Sequence, residues 1–456
     1  MNAVTDYLNQ NQPRFLQELC EYLRFASVSA QPQHQPDMKA CAAWLARHCR
    51  QIGLDAQVCP TASHPIVLAR TPRAGSARRP RYVVYGHYDV QPPEPFELWT
   101  SPPFEPRIEG RSLYARGSSD NKGQHFAHLK AVEAYLRTGT ELPCDLTFVL
   151  EGEEEVGSQS LETFLQQRRA ELKCDAIVIS DTGMPGKDLP ALTYGLRGIV
   201  SFEIVLRGPD RDLHSGIFGG AVDNPAMALS QMLARLRDRN GRVAVPGFYD
   251  AVVPLTAPER RQLARLPLQE AALRRLLGVP KLLGERGYTA TEQRSARPTI
   301  EINGLTSGYQ GEGGKTIIPA WARAKITCRL VPDQDPDRIL ALLRRHLKQL
   351  CPPTVRLEIV GGHGAEAYLV SPASPPAQAS LRALKAAFGR QPVLLREGGS
   401  IPIVNDLKRI LGADSLMLGL ALPDCNAHSP NEKFDLDCFA KGQLMSAHLW
   451  RELAGT

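Results

Sequence analysis

Four short apolar runs, each leading into charged or imidazole side chains, constrain this chain more than any other feature. Tyr82–Tyr85 leads into Gly86-His87-Tyr88-Asp89, Leu146–Leu150 into Glu151-Gly152-Glu153-Glu154-Glu155, and Ala176–Ser180 into Asp181. Ser415–Leu420 precedes a loop that reaches His428. Apolar runs of this length, bounded by Gly, Pro and charge, read as parallel strands buried on both faces. Ligands of open α/β sheets sit in the crevice beyond the carboxyl ends of the strands. Carboxylates and imidazoles gathered at those ends point to a divalent metal site.

At 456 residues the chain exceeds one ordinary core, and two or three domains are expected. Hydrophobic content of 43% and charged content of 22% are those of a soluble globular protein. Paired basics such as Arg78-Arg79, Arg274-Arg275 and Arg344-Arg345 are scattered without interleaved aromatics, which favours solvated faces over nucleic-acid binding. The net charge of +6 is compatible with anionic substrates. Ten cysteines form no CxxC pair, which fits a reducing compartment and disfavours zinc–thiolate sites. Residues 1–23 lack a signal-peptide apolar region, and no apolar stretch approaches membrane-spanning length. A cytoplasmic location is expected.

The patterning predicts amphipathic helices over Val4–Phe25 and Met38–Ile52. Strands follow near 65–70, 81–86, 145–150 and 175–180, with a helix over Lys122–Arg137 started by Ser118-Ser119-Asp120-Asn121. This alternation implies a mostly parallel sheet between helices. After Tyr194-Gly195-Leu196-Arg197-Gly198 the character changes. Strands over Ile199–Leu206, Thr299–Ile302, Ala322–Leu330 and Val355–Val360 accompany helices over Asn224–Asp238 and Pro336–Leu350. These describe an α+β module inserted into a discontinuous α/β domain. The expected spans are 1–196 and 366–456 for the catalytic domain and 197–365 for the insertion. Ser371–Ala379 reads as the return linker, followed by helices from Gln378, Ile401 and Phe439.

Two divalent ions a few ångströms apart need His and carboxylate ligands, one carboxylate shared between them, and an open position for water. His87, Asp120, Glu155, Asp181 and His428 are the candidates. Three carboxylates and one hydroxide balance two dications, so such a centre would not repel an anionic substrate. Other features point away from chemistry. Gly308–Thr316 resembles a phosphate-binding loop, but its glycine is out of register and Ile-Ile-Pro-Ala leads to a strand, not a helix. His125 and His128 share a helical face and read as packing or surface residues, and His363 falls in a Gly-rich loop.

The ordered motifs Gly86-His87-Tyr88-Asp89, Arg116–Gly123, Glu151–Ser158, Ser180-Asp181, Asp212–Gly216, Gly398–Pro402 and Ala427–Glu432 resemble the M20 family of co-catalytic metallopeptidases. Within it they are most similar to the cytosolic non-specific dipeptidase and carnosinase-like group. The resemblance spans essentially the whole chain. It implies that Asp120 bridges two ions, with His87 and Asp181 on one and Glu155 and His428 on the other. Glu154 would be the general base acting on a metal-bridging hydroxide, and Asp89 would orient His87. Glu153 would occupy a variable position, solvent-facing or structural. His214 would stabilise the oxyanion from the partner protomer of a homodimer. Arg329, on a strand of the insertion, would pair with a substrate carboxylate, and Thr316 matches a family position near the substrate terminus. Gly399-Ser400 precedes a helix from Ile401-Pro402 whose free N–H groups and positive dipole end suit an anion. The metal pair would be Zn, with Mn or Co as alternatives.

The expected activity is hydrolysis of dipeptides or small peptides with a free carboxylate. An N-acyl-amino-acid amidohydrolase on the same scaffold is the nearest alternative, and a catalytically silent metal-binding scaffold is a second. Glu154 beside a complete ligand set argues against the silent protein.

Overall fold

The computed structural model describes all residues except 73–78, 268–269, 400 and 402. The chain forms two compact units: Met1–Tyr194 with Val370–Leu395 and Ile403–Thr456, and Gly195–Leu369 with Arg396–Pro402.

The first unit is built on a mixed sheet. Its strands run in the order Asp55–Cys59, Ile66–Arg70, Asp145–Glu151, Arg81–His87, Ala176–Ile179, Ser415–Met417, with Ala191–Leu196 next. The four strands from Asp145–Glu151 to Ser415–Met417 are mutually parallel. Antiparallel pairs flank them, with Ile66–Arg70 on one side and Thr193 opposite Met417 on the other. These central strands are the apolar runs, and both their faces are covered. Tyr82 and Val84 join the large core with the helices Asn2–Gln10, Lys122–Thr138 and Leu436–Ala454, while Val83 and Tyr85 are buried on the opposite side. Every residue from Lys122 to Tyr135 is buried, so this helix shows no clean apolar stripe.

Local chemistry sets several boundaries away from the sequence expectation. The N-terminal segment is two helices, Asn2–Gln10 and Gln12–Leu23, rather than one over Val4–Phe25. Pro13 has no backbone N–H to give and suits the opening turn of a new helix. The helix expected from Gln378 begins at Pro375, inside the expected linker, because Ser374 caps it. The final helix begins at Leu436, where Asp435 Oδ1 accepts from the backbone N–H groups of Asp437 and Cys438.

A small sheet that the periodicity does not reveal joins Arg107–Glu109, Ser112–Tyr114 and Lys433–Asp435. Tyr114 pairs with Lys433 and Leu113 with Phe434. This sheet brings the segment before Asp120 alongside the segment after His428.

The second unit carries an antiparallel sheet ordered Thr299–Ser307, Trp321–Leu330, Gly198–Arg207, Arg356–Ala365. Alternate residues of the inner strands (Val200, Phe202, Ile204 and Ala322, Ala324, Ile326) pack with the helices Pro225–Ala234 and Pro336–Leu350. His363 lies on a strand opposite Ser201, not in a loop. Gly361 and Gly362, at φ 67° and 120°, absorb a register shift just before it and account for the glycine-rich appearance. Residues 396–399 are fixed to this unit by Arg197, whose Nε donates to the Gly398 carbonyl at 2.9 Å, and by the Arg396–Glu259 ion pair. No described helix is long and apolar enough to cross a membrane.

Candidate metal centre

The parallel strands deliver the first members of the site. His87 ends its strand and is fully buried. Gly86 before it lies against the central helix, where an added Cβ would meet His125 Cβ at 2.8 Å. His87 Nδ1 lies 3.1 Å from the Asp89 carbonyl oxygen and 3.3 Å from Asp89 Oδ1. A proton on Nδ1 donated to Asp89 leaves the Nε2 lone pair as a ligand. Asp120 Oδ1 is 3.2 Å and Asp181 Oδ1 is 3.7 Å from that Nε2. Asp89 Oδ2 also accepts from Ser29 Oγ at 2.7 Å and from the Glu155 backbone N–H at 3.1 Å. One carboxylate therefore orients His87 and anchors the Glu155 backbone.

Glu154 and Glu155 follow the strand Asp145–Glu151 in a short 3-10 turn, Glu154–Val156. Gln91 Nε2 donates to Glu155 Oε2 at 2.8 Å. Glu153 is buried, and its carboxylate accepts from the backbone N–H groups of His64 and Ser160 and from Ser160 Oγ. Its role is structural, holding the turn to the following helix.

Asp120 lies just before the central helix, and His428 Nε2 approaches its Oδ2 at 2.9 Å and Glu155 Oε2 at 3.5 Å. His428 has φ 61°, and Asn426 and Asn431 in the same loop are also left-handed. Such a conformation costs about 1–2 kcal/mol per non-glycine residue and persists where the surroundings enforce it. Asn431 supplies that enforcement: its Oδ1 accepts from Thr100 N–H and its Nδ2 donates to the Leu98 carbonyl, both at 2.8 Å.

Three sets of potential ligand atoms each lie within 4.8 Å of one another: His87, Asp120, Asp181; His87, Glu154, Glu155; and Asp120, Glu155, His428. His87, Asp120 and Glu155 each belong to two of them, and Asp120 is the member common to the first and the third. The electrostatics fit a cation. Burial raises the Glu155 carboxyl to about 9, and the neighbouring Asp120 charge adds to this. Burial also raises Glu154 well above the usual range, with Asp181, Glu155 and Asp120 opposing its ionisation. Burial alone would lower the His87 imidazole, but the Asp181 charge and contacts to Asp120, Asp181 and Asp89 raise it well above its ordinary value. Carboxylates so crowded ionise together only when positive charge is supplied. Among the described residues, His87 Nε2 and Glu155 Oε1 are buried without a hydrogen-bond partner, as expected of atoms reserved for a metal. The residues present fit a divalent ion.

His214, Thr316, Arg329 and Gly399 lie in the second unit. His214 is exposed and precedes a short turn in which its Nδ1 accepts from Gly216 N–H at 3.0 Å. That bond places the proton of the neutral ring on Nε2, making it a donor. Thr316 is adjacent, its carbonyl accepting from Ser215 N–H at 3.0 Å. Arg329 lies on Trp321–Leu330 opposite Ile199 and Thr299, and burial lowers its guanidinium. The Gly399 carbonyl accepts from Arg197 N–H at 3.2 Å. Ser400 lies outside the described residues. The segment 308–316 leads into the strand Ile317–Ile318 and not a helix.

His125 and His128 are packed. His125 meets Tyr22 Oη and Asn121 Oδ1 at 3.1 and 3.0 Å, and His128 meets Ser446 Oγ and Ser180 Oγ at 2.9 and 2.8 Å. Burial depresses both, His128 to about 3, so neither carries charge. Sequence reasoning gives Asn121 only as a helix-start marker. The structure shows its Nδ2 donating to Asp181 Oδ1 at 2.9 Å while its Oδ1 faces His125.

A mixed α/β unit presenting imidazoles and carboxylates at its parallel strand ends is the apparatus of a metal-dependent hydrolase. The model of peptidase family M20/M25/M40 matches residues 83–452, and the chain belongs to this family of metallopeptidases. It is 31% identical to the Cys-Gly metallodipeptidase DUG1 of Candida albicans, over 97% of this chain and 95% of that protein. It is 30% identical to the Beta-Ala-His dipeptidase of Mus musculus, over 100% and 96%. Human carnosine dipeptidase 1 superposes with a TM-score of 0.87 at 29% identity, covering 99% of this chain and 98% of that one.

Proposed function

We propose that the chain is a dipeptidase that hydrolyses the amide bond of dipeptides or small peptides bearing a free carboxylate at a pair of divalent ions. The observation that carries this reading is the sharing of Asp120 between two ligand sets, one with His87 and Asp181 and one with Glu155 and His428. Similarity to dipeptidases over nearly the full length of both chains supports the substrate class. Zn is the proposed metal, with Mn or Co able to use the same donors.

When bound there, divalent ions would lower the pKa of a coordinated water and polarise the scissile carbonyl. The chain's own residues do the rest. His87, held by Asp89, and Asp181, held by Asn121, would hold one ion, while Glu155, steadied by Gln91, and His428 would hold the other. Glu154 lies beside His87 and Glu155 and outside the two sets that share Asp120, so it is the carboxylate placed to take the proton of the attacking water and return it to the leaving amine. His214 Nε2–H donates to the developing oxyanion, contributed by the partner protomer of a homodimer. Arg329 receives the substrate carboxylate through a two-pronged ion pair, and Thr316 is assigned to the substrate terminus.

Turnover of a panel of dipeptides against N-acetyl and N-succinyl amino acids tests the proposal. Dipeptides turned over with the higher kcat/KM support it. Preference for the N-acyl compounds would assign the deacylase reaction to the same residues.

A further inference from the structure

Glu432 is fully buried, four residues beyond His428, and no catalytic step uses it. Its carboxylate is saturated with donors from one short segment. Oε2 accepts from Arg116 Nη1 and Gly117 N–H, both at 2.9 Å. Oε1 accepts from Ser119 N–H at 2.9 Å and Asp120 N–H at 3.0 Å. Three backbone amides of the segment ending in Asp120 therefore converge on one side chain of the His428 loop. Two further bonds stitch the same segments: Ala115 N–H donates to the Glu432 carbonyl at 3.1 Å, and Ser119 Oγ donates to the Lys433 carbonyl at 2.8 Å. The Arg116 guanidinium is itself 1% exposed. It donates weakly to the Pro92 carbonyl at 3.3 Å and lies 5.4 Å from the centre of the Trp99 ring.

A buried ion pair adds little net stability compared with an apolar pair of the same size, because desolvation offsets the attraction. What it fixes is geometry. Here the geometry is the approach of Asp120 to His428 at 2.9 Å, two side chains from segments far apart in sequence that would have to face one ion together. A carboxylate is the fitting acceptor, since several inward-pointing N–H groups form a concavity of positive potential that a neutral amide would meet with its own N–H.

We propose that Glu432 is a positioning residue: it clamps the backbone amides of Gly117, Ser119 and Asp120 to the His428 loop and so sets the distance between the shared carboxylate and its imidazole partner. The inference rests on the proposed metal centre, and its test is arranged so that the two fail separately.

The test compares wild type with Glu432→Gln and Glu432→Asp in three measurements. These are hydrogen exchange of the metal-free chain over 115–121, zinc affinity by competition with a chelator, and steady-state kinetics at saturating zinc. Glu432→Gln is expected to accelerate exchange over 115–121 while leaving the helix Pro336–Leu350 unchanged. It should weaken zinc binding by about 10–100-fold, the usual cost of losing a group that holds a ligand in place. It should also lower kcat with KM within about twofold of wild type, because substrate anchoring is not what the clamp supplies. Glu432→Asp keeps the charge but is one methylene short, and should fall between the two. Its readings decide the matter if the Gln variant does not fold. Wild-type exchange over 115–121 together with wild-type zinc affinity in a folded variant would overturn the proposal. If wild type itself takes up no zinc, the metal reading fails, and exchange in the metal-free chain still decides the clamp.

Discussion

Asp120 Oδ2 and His428 Nε2 meet at 2.9 Å although 308 residues separate them in the chain. On its other oxygen, Asp120 faces His87 Nε2 at 3.2 Å. One carboxylate thus stands between two imidazoles, which together hold it ionised well below the ordinary range. This is the arrangement that the proposed sharing of Asp120 between two cations would use.

Replacing Asp120 should therefore disable both halves of the centre. Asp120→Asn is expected to bring metal content from two ions per chain to less than one after dialysis. Turnover should fall by more than the ~10–100-fold typical of groups outside the ligand set. Metal analysis with single-turnover kinetics checks this, and a variant retaining two ions would contradict the bridging role.

Glu151 gives a stability prediction. Its carboxyl is raised from 4.5 to about 8, chiefly by burial and despite the Tyr85 hydroxyl donating at 2.6 Å. The folded chain therefore holds a proton that the unfolded chain has released between these values, so stability from this group is complete below 4.5 and is lost as pH rises toward 8. Glu151→Gln, which cannot ionise, should flatten the decline of the urea midpoint between about pH 5 and 8 in metal-free protein. Equal slopes in both proteins would refute it.

Arg329→Met should raise KM for dipeptides by about 10–100-fold with a smaller change in kcat, corresponding to the roughly 1.5–3 kcal/mol of a hydrogen bond to a charged group. Dipeptide amides, which lack the carboxylate, should show no such penalty. A penalty of equal size for amides would remove Arg329 from carboxylate recognition.

Complementation addresses His214. Mixing and refolding inactive Glu154→Ala and His214→Ala chains should restore roughly a quarter of wild-type activity if a two-fold dimer shares residues between protomers. Half of the dimers would be mixed, each with one intact site. No recovery despite demonstrated subunit exchange would count against action in trans.

The strand-end residues are legible in the sequence because a parallel strand buried on both faces has a compact signature, a run such as Tyr82–Tyr85 stopped by Gly86-His87. The same holds for the run ending at Glu151 and the one preceding Asp181. His428 is reached through the loop that follows the run Ser415–Leu420, and Asp120 through the helix-start residues before Lys122, while the division of the five ligands between two ions comes from the resemblance to known motifs. What escapes the sequence is nonlocal. Strands of three residues, Ser112–Tyr114 and Lys433–Asp435, are too short to show alternation, yet their pairing brings Glu432 onto the amides before Asp120. Asn121 reads as a helix-start residue, and only the fold shows its second bond to Asp181. The split at Asn11 is the opposite case: Pro13 carries a sufficient local signal, which the amphipathic pattern across Val4–Phe25 obscures.

Glu154→Gln separates proton transfer from metal binding within one variant. The amide keeps the shape and cannot accept the proton. The predicted result is an unchanged content of two divalent ions per chain, with kcat for a dipeptide lowered by about 10²–10⁴-fold, the usual contribution of a general base. Turnover equal to wild type with both ions in place would remove Glu154 from proton transfer.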